Sequence, residues 1–116
     1  LSRGVLLARA GDLEGAERSL RRAVDARPGV GDVHLNLGLV LLHRGDPQGA
    51  ERELRRALLL NPGQVEAAAQ LGHLLFKSGR YAEAAHFYEG CVRLGREDLR
   101  RNLREARARA ARAPAS

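Results

Sequence analysis

The stretch Gly31 to Gln64, GDVHLNLGLVLLHRGDPQGAERELRRALLLNPGQ, returns upstream and downstream at a spacing of 34 residues. A shift by that period brings Gly4, Gly38 and Gly72 into register, and with them Leu7, Leu41 and Leu75, then Gly11, Gly45 and Gly79, then Ala16, Ala50 and Ala84. Residues 1–30 and 35–64 agree at 15 of 30 positions, including the runs GAER and LRRA, which is far beyond coincidence. The third copy, 65–98, keeps six of 34, namely Leu71, Gly72, Leu75, Gly79, Ala84 and Leu94, the positions where packing is least forgiving. The chain is therefore a tandem array, and each copy needs its neighbours to bury an apolar face.

Within one copy the punctuation divides two helices. Gly45 stops the first, Asp46 caps the second, and Pro47 occupies its first turn, where a missing N–H costs nothing. Asn61-Pro62-Gly63 ends the second helix. The same signs upstream predict a helix over residues 1–10 that Gly11 terminates, then an Asp12-capped helix from about Leu13 to Arg27, closed by Pro28-Gly29. Because Leu1 aligns with Leu35, the first copy is truncated, and with no Met in the chain the sequence reads as a piece of a longer protein. After Gly95 the pattern breaks. Leu99, Leu103, Ala106 and Ala110 fall on one face of a further helix whose other faces carry Arg100, Arg101, Arg104, Arg107 and Arg112, as expected of a helix that covers the last copy and presents charge to water. The expected divisions are repeats over 1–96 (1–30, 31–64 and 65–96), a capping helix over 97–112 and a frayed end over 113–116.

Composition supports an all-α fold. Ala, Leu, Arg and Glu dominate, all good helix formers, and no stretch sustains the alternation of a strand. Aromatics make up only 3% of the chain, so its core must be built from Leu, Val and Ala at close helix separations. Cys91 is alone, which excludes an intrachain disulfide and a paired-cysteine metal site. The longest apolar run, around Leu37 to Leu42, falls far short of the ~20 residues that cross a bilayer. The chain reads as soluble and, with its single cysteine, as cytoplasmic. The net charge is +6, but from Arg93 onward eight arginines stand against Glu97, Asp98 and Glu105, so +5 of it belongs to the tail.

A 34-residue pair of helices with Leu37, Gly38, Leu41, Ala50, Leu54, Ala57 and Pro62 at these positions resembles the tetratricopeptide repeat. The third copy matches it with Leu71, Gly72, Leu75, Ala84, Tyr88 and Cys91, and has Arg96 in place of the Pro. The first has Gly4, Leu7, Ala16, Leu20, Ala23 and Pro28, with Arg3 where Leu is usual. The family's early Trp is absent, and His34 and Ala68 stand in its place. The resemblance covers about residues 1–98. It implies a right-handed α-solenoid of about three antiparallel helix pairs with a C-terminal capping helix.

The resemblance also implies a binding groove on the concave side, lined by the first helix of each pair. The corresponding residues are Val5 and Arg9, then Leu35, Asn36, Leu39, Leu42 and His43, then Gln70, His73, Phe76 and Lys77, with Asp32, Glu66 and Ala69 beside them. Such a groove has an apolar floor and a basic margin. The implied function is a non-enzymatic scaffold that binds a peptide or helix of a partner protein. One branch of the family clamps the C-terminal carboxylate of chaperone tails with Lys, Asn and Arg. Asn36 matches one clamp residue, but Leu1, Val5, Glu66 and Gln70 stand where others are needed, and Glu66 would repel a carboxylate.

The residues offer little to catalysis. The four histidines form no metal-binding motif, the serines lack local His or Asp partners, and the glycines punctuate helices rather than cradle phosphate. No cofactor or metal is expected. Two rival functions remain: nucleic acid or an acidic partner on the Arg-rich tail, and self-association through exposed repeat ends.

Overall fold

The computed structural model describes residues 10–112, which are helical apart from short connections. The helices are α1 (Ala10–Ala26), α2 (Gly31–His43), α3 (Pro47–Leu60), α4 (Val65–Lys77), α5 (Tyr81–Arg93) and α6 (Arg100–Arg112), the last preceded by a 3-10 turn at Glu97–Leu99. No strand occurs among the described residues. The chain divides between Pro62 and Gly63 into two compact units, one holding α1 to α3 and the other α4 to α6.

Three helices end in the same way. Gly45, Gly79 and Gly95 adopt φ of +82°, +82° and +102°, a left-handed backbone that only glycine takes without steric cost. The residue after each glycine donates its N–H five residues back, Asp46 to Leu41, Arg80 to Leu75 and Arg96 to Cys91, at 2.8–2.9 Å. This closing bond satisfies carbonyls that the helix itself leaves open. Asp46 then caps α3, its carboxylate accepting from the Gly49 N–H at 3.0 Å, with Pro47 in the first turn.

The first helix departs from that scheme. Gly11 and Asp12 do not break the chain but lie inside α1, which is continuous from Ala10 to Ala26. A helical glycine costs only about 1 kcal/mol relative to alanine, so its presence permits a stop without compelling one. The expected helix over residues 1–10 lies mostly outside the described residues.

In the first unit, α2 packs against both α1 and α3. Leu37, Val40, Leu41, Ala50, Leu54 and Ala57 are almost wholly excluded from water. Gly38 makes the α2–α3 seam possible: a Cβ there would lie 2.9 Å from Leu54 Cγ and 3.4 Å from the Ala50 carbonyl oxygen. Where the family has Trp, His34 is buried and joins α2 to α3. Its Nδ1 lies 2.8 Å from Glu53 Oε1, and its Nε2 lies 2.8 Å from the Pro28 carbonyl. The polar pair thus holds in place a corner that an apolar ring would otherwise fill. Outside it, Arg44 reaches back to Glu17 of α1 at 3.1 Å.

In the second unit α5 lies between α4 and α6. Leu71, Leu75, Ala84, Tyr88 and Cys91 fill the α4–α5 seam. Gly72 plays the part of Gly38, since a Cβ there would meet Tyr88 Cε1 at 2.8 Å. Leu99, Leu103 and Ala106 bury the apolar face of the C-terminal segment, and Arg107 joins α6 to α5 through Glu89 at 3.4 Å. Cys91 Sγ sits 3.7 Å from the Val65 carbonyl, and burial raises the thiol's pKa.

Candidate partner-binding surface

The helical period sets which side chains of α2 face inward. Leu37, Gly38 and Leu41 are spent on packing, which leaves residues between them to meet solvent. Asn36 and His43 are exposed, Leu39 and Leu42 half-buried, and Leu35 buried with little surface to offer. His43 does not project freely, because its Nδ1–H donates to the Leu39 carbonyl at 2.9 Å.

On α4, Lys77 is exposed and Gln70, His73 and Phe76 are half-buried. Two of these four are held by the helices behind them. His73 Nδ1 lies 2.7 Å from the Tyr88 hydroxyl, which also bonds to Asn102 of α6. Burial, aided by the charge of Arg96, lowers the pKa of His73. A neutral ring fits the geometry: Asn102 donates to the Tyr88 oxygen and Tyr88 O–H donates to the unprotonated Nδ1. Burial also raises the Tyr88 pKa, keeping the hydroxyl protonated. Phe76 meets Tyr81 edge-on at 5.1 Å, and the Arg109 guanidinium stands over Phe76 at 5.1 Å and Tyr81 at 5.7 Å. Glu105 positions that guanidinium, accepting from Arg109 Nε at 2.7 Å.

Val5 and Arg9 lie outside the described residues. The remaining groove residues are thus distributed over two separate helices, Leu35 to His43 on α2 and Gln70 to Lys77 on α4. Sequence reasoning missed that α6 covers Phe76, because no spacing rule connects Arg109 with a residue two helices earlier. The His73–Tyr88 bond carried a faint signal: Tyr88 occupies the position that faces Gly72, so the neighbouring histidine lies within its reach. Among the described residues no group of three or more His, Cys, Asp or Glu side chains is placed to hold a metal, and no helix is long and apolar enough to cross a membrane.

Helix pairs closed by left-handed glycines, tightened by a glycine or alanine at each crossing and bearing variable residues on the first helix, define a helical-repeat scaffold. The chain belongs to the tetratricopeptide repeat family, whose pattern matches residues 1–64 and, in a second form, residues 41–100. No curated protein matches it. Its fold is similar to that of MamA, with a TM-score of 0.79 and 23% identity over 87% of this chain, which spans 60% of the MamA chain. It is similar also to the first tetratricopeptide repeat domain of Spaghetti (RPAP3) bound to the HSP90 peptide SRMEEVD, at a TM-score of 0.78 and 21% identity, covering 87% of this chain and 82% of that one. A third likeness is to the Yersinia enterocolitica type III secretion translocator chaperone SycD, with a TM-score of 0.70 and 14% identity over 85% of this chain and 70% of that one.

Proposed function

We propose that the chain is a non-enzymatic scaffold that binds segments of a partner protein on the solvent-facing residues of α2 and, in its own unit, on those of α4, in the cytoplasm. One observation carries the reading. The residues the copies share, such as Leu37, Gly38, Leu41, Leu71, Gly72 and Leu75, are buried, whereas Asn36, Leu39 and Gln70, which differ between copies, retain surface. Packing accounts for the first set and not for the second. The buried thiol of Cys91 is compatible with a reducing compartment. The peptide bound to RPAP3 is not carried over, because Glu66 and Gln70 occupy positions where a carboxylate clamp needs Lys and Arg.

Substitution on α2 tests the reading most cleanly, since Phe76 is tied to Tyr81 and Arg109. The immobilised chain is expected to retain one protein from an extract of its own cells. Leu39→Glu and Asn36→Arg should each remove that protein while the helical circular dichroism stays unchanged. Retention by both folded variants would rule out this face.

A further inference from the structure

The last turns of three helices align at the 34-residue period as Val24-Asp25-Ala26, Leu58-Leu59-Leu60 and Val92-Arg93-Leu94. The middle position is charged in the first and third copies and apolar in the second, where Leu59 is 82% exposed. A single exposed leucine needs no explanation. This one borders a cleft of about 280 Å³ lined by Val24, Pro28, His34, Arg56, Leu59 and Leu60, and the surface of that cleft is overwhelmingly apolar. His34 contributes ring carbon rather than hydrogen bonds, because both its nitrogens are engaged by Glu53 and Pro28. The volume lies just below the roughly 300–1,000 Å³ of small-molecule sites, and it suits one or two side chains of a larger partner.

Charge selects among partners. Arg56 lines the cleft and reaches Glu53 only at 3.5 Å, with more than half of its side chain exposed. Arg52, one turn earlier on the same face of α3, and Arg27, adjoining Pro28, take part in no ion pair among the described residues. Other arginines of the same helices are neutralised locally, Arg21 by Glu17 at 2.8 Å and Arg55 by Glu51 at 2.9 Å. Of the carboxylates nearby, Glu53 is buried against His34 and Arg56, and Asp25 adjoins Val24 in sequence.

We infer that the cleft between the ends of α1 and α3 is a second docking surface, separate from the solvent-facing residues of α2, for an acidic partner segment that inserts one or two bulky apolar side chains. Leu59, Leu60 and Val24 bury the apolar side chains, and Arg56, Arg52 and Arg27 receive the flanking carboxylates.

The test uses a fluorescein-labelled peptide of about a dozen residues in which a Leu-Phe pair is flanked by glutamates, read by fluorescence anisotropy with the full chain. Saturable, salt-sensitive binding is expected. Leu59→Gln and Arg56→Gln should each weaken it about ten-fold, and Leu39→Glu should leave it unchanged. Because Leu59 is so exposed, its variant keeps the fold, which circular dichroism verifies. Four results would overturn the inference: no saturation at millimolar peptide, undiminished binding to the Leu59→Gln variant, equal binding of a peptide with lysine in place of glutamate, or loss of binding in the Leu39→Glu variant, which would put the peptide on the α2 face. A wild-type dimer in sedimentation equilibrium that Leu59→Gln dissociates would assign the cleft to a second copy instead, and would equally overturn it.

Discussion

Gly38 and Gly72 each accept a buried side chain of the facing helix where their own Cβ would be. Gly38→Ala and Gly72→Ala are expected to destabilise by about 1–3 kcal/mol through overpacking. Gly90 provides the control, since a Cβ there meets nothing within 4 Å. Gly90→Ala, within α5, should stabilise by roughly 0.5–1 kcal/mol. Urea midpoints of the three variants check both signs. These two roles of glycine were legible in the sequence only in part. Recurrence at 34 residues marked Gly38 and Gly72, but Leu54 and Tyr88 as the side chains that fill the gap emerge from the packed helices.

His73 supplies a pH dependence at the same scale. Its folded-state pKa is lowered, so between that value and about 6.5 the unfolded chain binds more protons than the folded one. Stability from this group is complete above about pH 6.5 and is lost as pH falls through the folded-state pKa. Comparing urea midpoints from about pH 7.5 down to about pH 5 should show a shallower acid decline for His73→Gln than for the unaltered chain. Parallel curves would assign the decline to other groups. No spacing rule foretold this behaviour, because it arises from burial and from the charge of Arg96, which lies in a later part of the chain.

At the scale of elements, the helix ends were the most legible feature and α1 the least. Gly45 and Asp46 behave as their residue types dictate, since the left-handed turn and the side-chain cap are local chemistry. Gly11 and Asp12 carry the same letters and yet lie within a helix. A local signal states what a segment tolerates, and its neighbours determine what it does. The C-terminal helix α6 was recognisable from its apolar stripe, and it has a measurable role. Removing residues 97–116 uncovers the α5 face that Leu99 and Leu103 bury, at about 1.5–3 kcal/mol for each large side chain. The truncated chain is therefore expected to lose at least about 3 kcal/mol, seen as a lower thermal midpoint. An unchanged midpoint would show that α6 contributes nothing to the second unit.

For the molecule as a whole, the net charge of +6 invites a nucleic-acid reading that the ion pairs weaken. Arg100 is held by Glu97 at 2.8 Å and Arg109 by Glu105 at 2.7 Å, while Arg101 and Arg104 take part in no ion pair among the described residues. Two guanidinium groups outside ion pairs on this helix are few for phosphate recognition, which draws its affinity from many contacts. Duplex DNA is expected to show no saturable binding at physiological salt by anisotropy. Saturation that disappears in an Arg101→Glu, Arg104→Glu variant would move the function to nucleic acid. The sequence by itself determined the period, the helix pairs, their glycine stops and the shared residues that pack them, because a repeated local pattern recurs in a repeated local structure. Only the tertiary structure decided that His34 is bound to Glu53, that Arg109 covers Phe76 and that Leu59 borders an apolar cleft. Each depends on side chains from different helices meeting in space, and those distances are set by packing and by no interval along the chain.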